Sequence, residues 1–323
     1  MRILVTGGAG YIGSITTRRL LDAGHDVIVL DSLVRGHREA VDARALLIVG
    51  EVGDPVALDR ALPGCDAVMH TAGRIEVAES QSDPGAYFDA NVSQPARLLD
   101  GMLKHGVRAI VFSSTAAVYG EPAKVPITED APTHPVNVYG ATKLMFERLL
   151  DWYGKAHELR SVRLRYFNVA GAMPDASLGE AHNPETHIIP RLLMSLASGT
   201  RGFEVFGGDY PTPDGTCIRD YIHVCDLAEA HLLSLERVGR GGEGGVFNLG
   251  TGSGFSNLEV ANVCAEVADV EVEVTVGPRR PGDPAVLVAS AEKAFDELGW
   301  TPKRGDLRQI VADAWRWHAR EET

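Results

Sequence analysis

Three glycines at a three-residue spacing, Gly7, Gly10 and Gly13, stand between a short apolar run and a helical pattern. Ile3-Leu4-Val5 supplies the run. Ile15, Leu20, Leu21 and Ala23 carry the helix, and Gly24 ends it. Strand, glycine turn and helix in that order leave few folds open. Glycine has no Cβ, so the turn can tighten and its N–H groups can approach a pyrophosphate at the helix N-terminus. Val27-Ile28-Val29-Leu30 forms the next strand and Asp31 closes it. An acidic side chain about 20 positions past the glycines is placed to hold a ribose hydroxyl. Its charge also repels a 2′-phosphate, which points to NAD rather than NADP. Arg35, nearby, reads as a solvated loop residue.

The alternation continues. Residues 45–49, 67–70 and 107–112 read as strands, with helices at 55–62, 84–105 and 138–157. Strands separated by helices imply right-handed crossovers and a parallel sheet. Ligands of such sheets bind beyond the carboxyl ends of strands, where Asp31, Asp54, Ala72-Gly73 and Ser113-Ser114-Thr115 fall. After Ala172 the pattern breaks. Residues 173–186 are polar and loop-like, and a helix opens near Thr186 with Pro190 in its first position. Short strands are predicted within 203–221, a helix at 224–235, a strand at 246–250, a helix at 255–268 with Ser256 as N-cap, a strand at 271–276 and a last helix at 306–320. The predicted fold is α/β: a Rossmann-type doubly wound parallel sheet with a smaller mixed α/β substrate domain. The division runs 1–172 and 173–323, with segments near 222–255 returning to the first domain.

A formal net charge of −13 argues against nucleic acid and anionic membrane as partners, since both need a basic footprint. Four cysteines without a CxxC pair suggest free thiols in a reducing compartment. The eleven histidines show no HExxH or similar spacing, so no metal is expected. Met1-Arg2 leads straight into a strand and no apolar run could span a bilayer, so no signal peptide and a cytoplasmic location are expected.

Tyr139 and Lys143 lie four apart on a predicted helix and so share one face. A free phenol titrates near ~10, and a nearby ammonium favours its ionised form, making a usable general base. Alone, the pair is common on surface helices.

Together, Gly7-x-x-Gly10-x-x-Gly13, Ser113-Ser114-Thr115 and Tyr139-x-x-x-Lys143 resemble the extended short-chain dehydrogenase/reductase superfamily. Longer strings narrow this: residues 7–13, 114–120, 165–172 (Arg-Tyr-Phe-Asn-Val-Ala-Gly-Ala), 206–216 (Phe-Gly-Gly-Asp-Tyr-Pro-Thr-Pro-Asp-Gly-Thr) and 219–224. They are similar to the UDP-glucose (UDP-galactose) 4-epimerase family over nearly the whole chain. The resemblance implies a tightly bound NAD, a UDP-sugar substrate and a homodimer formed through helices flanking the first domain. It implies cofactor contacts at Gly7, Gly10, Tyr11, Ile12, Gly13, Asp31, Ser32, Asp54, Ala72, Gly73, Asn91, Ser113, Tyr139, Lys143 and Tyr166. For the UDP-sugar it implies Thr115, Tyr139, Asn168, His187, Phe206, Arg219, Arg280 and Asp283, the arginines meeting the diphosphate.

The implied reaction is a reversible oxidation ending in isomerisation, with Thr115, Tyr139 and Lys143 catalytic. Sugar-nucleotide dehydratases carry Asp-Glu after the catalytic threonine. Ala116 and Ala117 cannot do that acid–base work. Relatives often have a lysine where this chain has Ile75, with Arg74 beside it, and a tyrosine or cysteine where it has Leu287. Arg191 follows His187 by one helical turn and could read a carboxylate. That leaves open a UDP-glucuronate/UDP-galacturonate alternative, with Arg191 or Arg74 at the acid. A net oxidoreductase that releases a keto sugar is a second alternative.

Overall fold

The computed structural model describes residues 1–279 and 283–320. In chain order the first part holds β1 (Arg2–Thr6), α1 (Tyr11–Asp22), β2 (Asp26–Asp31), β3 (Leu46–Val49), α2 (Pro55–Ala61), β4 (Ala67–His70), α3 (Val77–Ser82), α4 (Pro84–Phe88), α5 (Gln94–Lys104), β5 (Ala109–Ser113), α6 (Val138–His157) and β6 (Arg160–Tyr166). Then come β7 (Asn168–Ala170), α7 (Ile188–Ala197), β8 (Gly202–Phe206), β9 (Ile218–His223), α8 (Val224–Gly239), β10 (Gly245–Leu249), β11 (Gly254–Ser256), α9 (Asn257–Ala268), β12 (Glu273–Gly277), β13 (Val286–Leu287), α10 (Glu292–Leu298) and α11 (Leu307–His318).

Seven strands form one sheet in the order β10-β6-β5-β4-β1-β2-β3, and every neighbouring pair is parallel. The order reverses between β1 and β4, which opens a crevice at their carboxyl ends. Both faces are covered. Ile3 and Val5 point to one face with Leu227, Leu235 and Phe247; Leu4 points to the other with Leu58, Met102 and Phe146. Burial on both faces is why these strands read as unbroken apolar runs.

Around β9, a smaller sheet takes β7 and β13 in parallel and β11 antiparallel, while β8 and β12 pair separately. Helices α7, α9 and α11 pack over a third core containing Ile189, Leu193, Val260 and Ile310. Ser256 caps α9 in a full capping box with Glu259.

Three expectations are corrected. Residues 84–105 are not one helix: α4 and α5 flank a single π-helical turn, Asp89–Ser93. Pro95 has no N–H to give the carbonyl of Asn91, and the wider turn absorbs the loss. Strand β6 was not foreseen, because Arg160, Arg163 and Arg165 interrupt its apolar run; the Arg165 side chain is nonetheless buried. Pro190 stands third in α7 rather than first, still within the turn whose N–H groups have no helical partner.

Candidate active site

At the crevice the turns after β1 and β4 touch. Gly7 has a φ of +75°, and a Cβ added there would lie 2.6 Å from the Ala72 nitrogen. A Cβ on Gly13 would meet the Gly7 carbonyl at 2.1 Å. Gly10 starts α1 with no side chain capping the helix, so it offers no acceptor to the first-turn N–H groups. The Asp31 carboxylate accepts from the Ala9 nitrogen at 2.9 Å and the Leu33 nitrogen at 2.8 Å, which fixes it against the glycine turn. Glycines without a Cβ, an uncapped helix start and an oriented carboxylate suit a dinucleotide's pyrophosphate and ribose.

Other residues assigned to this cradle have defined places. The Tyr11 hydroxyl donates to the Gly171 carbonyl at 2.6 Å, tying the glycine turn to the chain beyond β7. Ile12 packs half-buried beside it, and Ser32 is half-buried after β2. Asp54 caps α2 by accepting from the Val56 nitrogen. Asn91 uses its amide on the backbone N–H and carbonyl of Arg74 and on Thr142, so it positions the Ala72-Gly73 turn. Gly73 is exposed beside it. Ser113 is buried; its hydroxyl meets His231 Nε2 at 2.8 Å. His231 Nδ1 faces the Leu227 carbonyl, so Nδ1 carries the proton and Nε2 accepts from Ser113. Burial pushes the His231 pKa down to about 4, which keeps it neutral. Tyr166 stands at the end of β6, its ring 6.3 Å from that of His231.

Helix α6 brings the reactive groups over the sheet. Asn137 caps it by accepting from the Gly140 nitrogen. The buried Lys143 ammonium donates to the Ser113 carbonyl at 3.0 Å and lies 5.9 Å from the centre of the Tyr139 ring. Burial lowers the Lys143 pKa to about 8, with Glu147 acting against it. Burial also pushes the Tyr139 phenol up to about 12; the Thr115 hydroxyl bonded to it works the other way, and Glu76 adds to the rise. The expectation that Lys143 brings this phenol below its ordinary value is therefore corrected for the protein groups alone. Burial outweighs an ammonium that is itself desolvated and already bonded to Ser113.

One part of the site was missed. Glu147 lies one turn beyond Lys143 and is 3% exposed. It takes a two-point contact from Arg165, at 3.0 and 2.5 Å, and the Ser114 hydroxyl at 2.5 Å. Arg165 also donates to the Tyr119 hydroxyl, which donates to Asn248. The signal was available: 139, 143 and 147 continue one four-residue stripe.

On the substrate side, Arg219 of β9 is largely buried and lies 3.5 Å from the Asp283 carboxylate. Phe206 ends β8 and Asn168 begins β7, both half-buried. His187 stands at the start of α7, with Nδ1 2.5 Å from Glu180. Arg280 lies outside the described residues. The Arg191 guanidinium lies 5.3 Å from the centre of the Phe203 ring. Arg74 is paired with Glu79 at 3.1 Å, and Glu79 also faces Arg35 at 3.7 Å. Arg35 is more than a solvated loop residue, for it donates to the Asn183 carbonyl.

A family model described as "NAD dependent epimerase/dehydratase family" matches residues 3–250. The chain is 50% identical to a UDP-glucose 4-epimerase of Lacticaseibacillus casei over 321 residues, covering 98% of this chain and 97% of the relative. Its structure is similar to that of a UDP-glucose 4-epimerase from Brucella ovis in complex with NAD (TM-score 0.94, 41% identity, 99% of each chain). It is also similar to one from Bifidobacterium longum in complex with NAD+ and UDP (TM-score 0.93, 37% identity, 98% of each chain).

Proposed function

The chain belongs to the NAD dependent epimerase/dehydratase family, and on that premise we propose how its residues divide the work. It is an isomerase, an NAD-dependent 4-epimerase of UDP-hexoses of the UDP-glucose/UDP-galactose type, acting through a transient 4-keto sugar. The observation that carries the reading is the set of buried Thr115 and Lys143 with half-buried Tyr139 beside the glycine crevice.

In this reading Gly7, Gly10, Tyr11, Ile12 and Gly13 hold the pyrophosphate of NAD, Asp31 and Ser32 its adenosine ribose, and Asp54, Ala72, Gly73 and Tyr166 complete the cradle. Bound NAD supplies the acceptor for the C4 hydride and the donor that returns it to the opposite face. Tyr139 takes the proton of the sugar 4-hydroxyl and later gives it back. The Thr115 hydroxyl bridges the sugar oxygen and the phenol. Lys143 holds the nicotinamide ribose and helps carry the phenolate's charge. Because burial raises the Tyr139 pKa, the positive charge of the cofactor ring is needed beside the lysine. Arg219, with Asp283, Phe206, Asn168, His187 and Arg280, anchors the UDP while the keto sugar turns over. Residues 1–172, with the segments near 222–255, serve the cofactor; 173–323 serve the UDP-sugar.

The uronate alternative is not favoured. Arg74 is already neutralised by Glu79, and Arg191 lies over Phe203. Two points of assembly remain proposals. A cytoplasmic location is supported by four free cysteines and by the lack of any described helix long and apolar enough to cross a membrane. A homodimer through helices of the larger lobe is supported by Met145 and Trp152, which stand seven apart on α6 and are 45% and 65% exposed.

The test is to incubate the purified enzyme, without added cofactor, with UDP-glucose and with UDP-glucuronate, and to resolve the C4 epimers. Turnover of the neutral sugar is expected. NADH accumulating without either epimer would move the chain to the net oxidoreductases.

A further inference from the structure

The loop between β7 and α7 gathers four ligand-type side chains: Glu180, His182, Glu185 and His187. Their ligand atoms all lie within 4.8 Å of one another. His187 Nδ1 is 2.5 Å from Glu180 Oε1 and 3.5 Å from Glu185 Oε1. His182 Nδ1 is 3.0 Å from Glu180 Oε1 and 3.8 Å from Glu185 Oε2. The two carboxylate side chains are only 4% and 5% exposed.

A second observation points to a ligand. Glu185 Oε2 and His182 Nδ1 are buried and have no hydrogen-bond partner. The 3.0 Å approach of His182 to Glu180 is close but misaligned for a hydrogen bond. The four ligand atoms surround a common centre, with His187 Nδ1 and Glu180 Oε1 also hydrogen-bonded to each other. A buried polar atom left unsatisfied is destabilising, and two buried carboxylates side by side repel in addition. A divalent cation at that centre would satisfy every one of these atoms, and two carboxylates with two neutral imidazoles would balance its charge.

We propose that Glu180, His182, Glu185 and His187 form a zinc site. Two imidazole nitrogens and two carboxylate oxygens suit zinc, whose bonds of about 2.0–2.2 Å set tetrahedral ligand–ligand edges near 3.3–3.6 Å. Three of the four quoted distances fall within about 0.3 Å of that range, the two to Glu185 through different carboxylate oxygens. Only the Glu180–His187 pair must open. Magnesium and calcium want more oxygens than the loop provides.

The role is structural. The Trp317 indole of α11 donates to the Glu180 carbonyl at 2.7 Å, and the Tyr11 and His182 rings meet edge-on. Arg35 and His37 donate to the carbonyls of Asn183 and Ala181. The loop thus touches the glycine turn, the segment after β2 and the last helix. A cation in it would staple the cofactor crevice to the smaller lobe. His187 would bind through Nδ1 and keep Nε2 for the substrate. No metal was expected from the sequence, whose histidines show no HExxH or similar spacing; here Glu-x-His-x-x-Glu-x-His is folded by a loop.

The test uses the full chain and a readout independent of turnover. Protein from zinc-supplemented culture should contain about one zinc per chain. Stripping with a chelator should lower the Tm, and zinc alone should restore it. Cobalt(II) in its place should give the visible absorption of a tetrahedral ion. Glu185→Gln and, separately, His182→Ala should weaken zinc retention by more than about tenfold and abolish the cobalt spectrum, with NAD content and circular dichroism confirming the fold. Wild type that takes up neither metal, or variants that keep the full zinc load, would overturn the proposal. Neither result would touch the epimerase assignment.

Discussion

Helix α6 carries its chemistry on one stripe, whereas the nucleotide side of the smaller lobe is assembled from separate pieces. Tyr139, Lys143 and Glu147 are spaced one turn apart, Tyr139 half-buried and the other two buried. Phe206, Arg219 and Asp283 come from two strands and a loop, and Arg219 approaches Asp283 at 3.5 Å. Groups that must meet a reacting proton within tenths of an ångström sit on a rigid element. Groups that grip an anchor while the sugar turns need only charge and area.

Breaking the stripe at its reacting end should have the largest effect. Tyr139→Phe removes the proton carrier and leaves the rest of the NAD cradle intact. The expected loss in kcat is about 10³-fold or more, with NAD still bound. Turnover near that of wild type would end the assignment of Tyr139 as the base.

Glu147 sharpens the comparison, because it acts only through its neighbours. Glu147→Ala leaves the buried Arg165 guanidinium without its carboxylate, keeping only the Tyr119 contact, a loss of about 3–5 kcal/mol in folding stability. Glu147→Gln should lose less and keep the Ser114 contact. Chemical denaturation of both variants checks this. A Glu147→Ala protein as stable as wild type would mean that Arg165 finds water or another acceptor.

The same contrast explains what could be read from the sequence. The large sheet was legible because strands buried on both faces leave unbroken apolar runs, as in Ile3-Leu4-Val5 and Ala67-Val68-Met69-His70. Strand β6 was not, since its arginines look solvent-facing until Glu147 is brought to Arg165 by the fold. Tyr139 and Lys143 were legible through a helical period, and Glu147 could have been. Arg219 and Asp283 share no period and no element, so only resemblance to a family proposed them. The balance at Tyr139 was illegible for a related reason: spacing gives the distance to a cation but not the depth of burial, and among the protein groups alone burial decides the direction.

The gripping side should fail more gently. Arg219→Ala is expected to raise KM for the UDP-sugar by about 10- to 100-fold, with a smaller change in kcat, because it removes binding shared by ground and transition states. An equal fall in kcat would place Arg219 among the groups that act on the turning sugar, and the contrast between the two regions would lose its force.

The smallest effect concerns stability, and its sign is opposite to that of most core substitutions. Burial depresses the Lys143 pKa to about 8, against about 10.4 for an exposed lysine. The folded state therefore disfavours the ammonium. Above the unfolded value the lysine is neutral in both states and the penalty is absent. As pH falls through about 8 the penalty is fully present, of order 3 kcal/mol before the bond to Ser113 offsets part of it. Lys143→Met keeps the stem's volume and removes the charge. It should lose most turnover yet melt no lower than wild type at pH 7, with the difference moving in favour of wild type at pH 10. Melting curves of the two proteins at both pH values test this. A variant several degrees less stable at pH 7 would mean that the Ser113 bond and Glu147 outweigh desolvation, and that the site holds its lysine without strain.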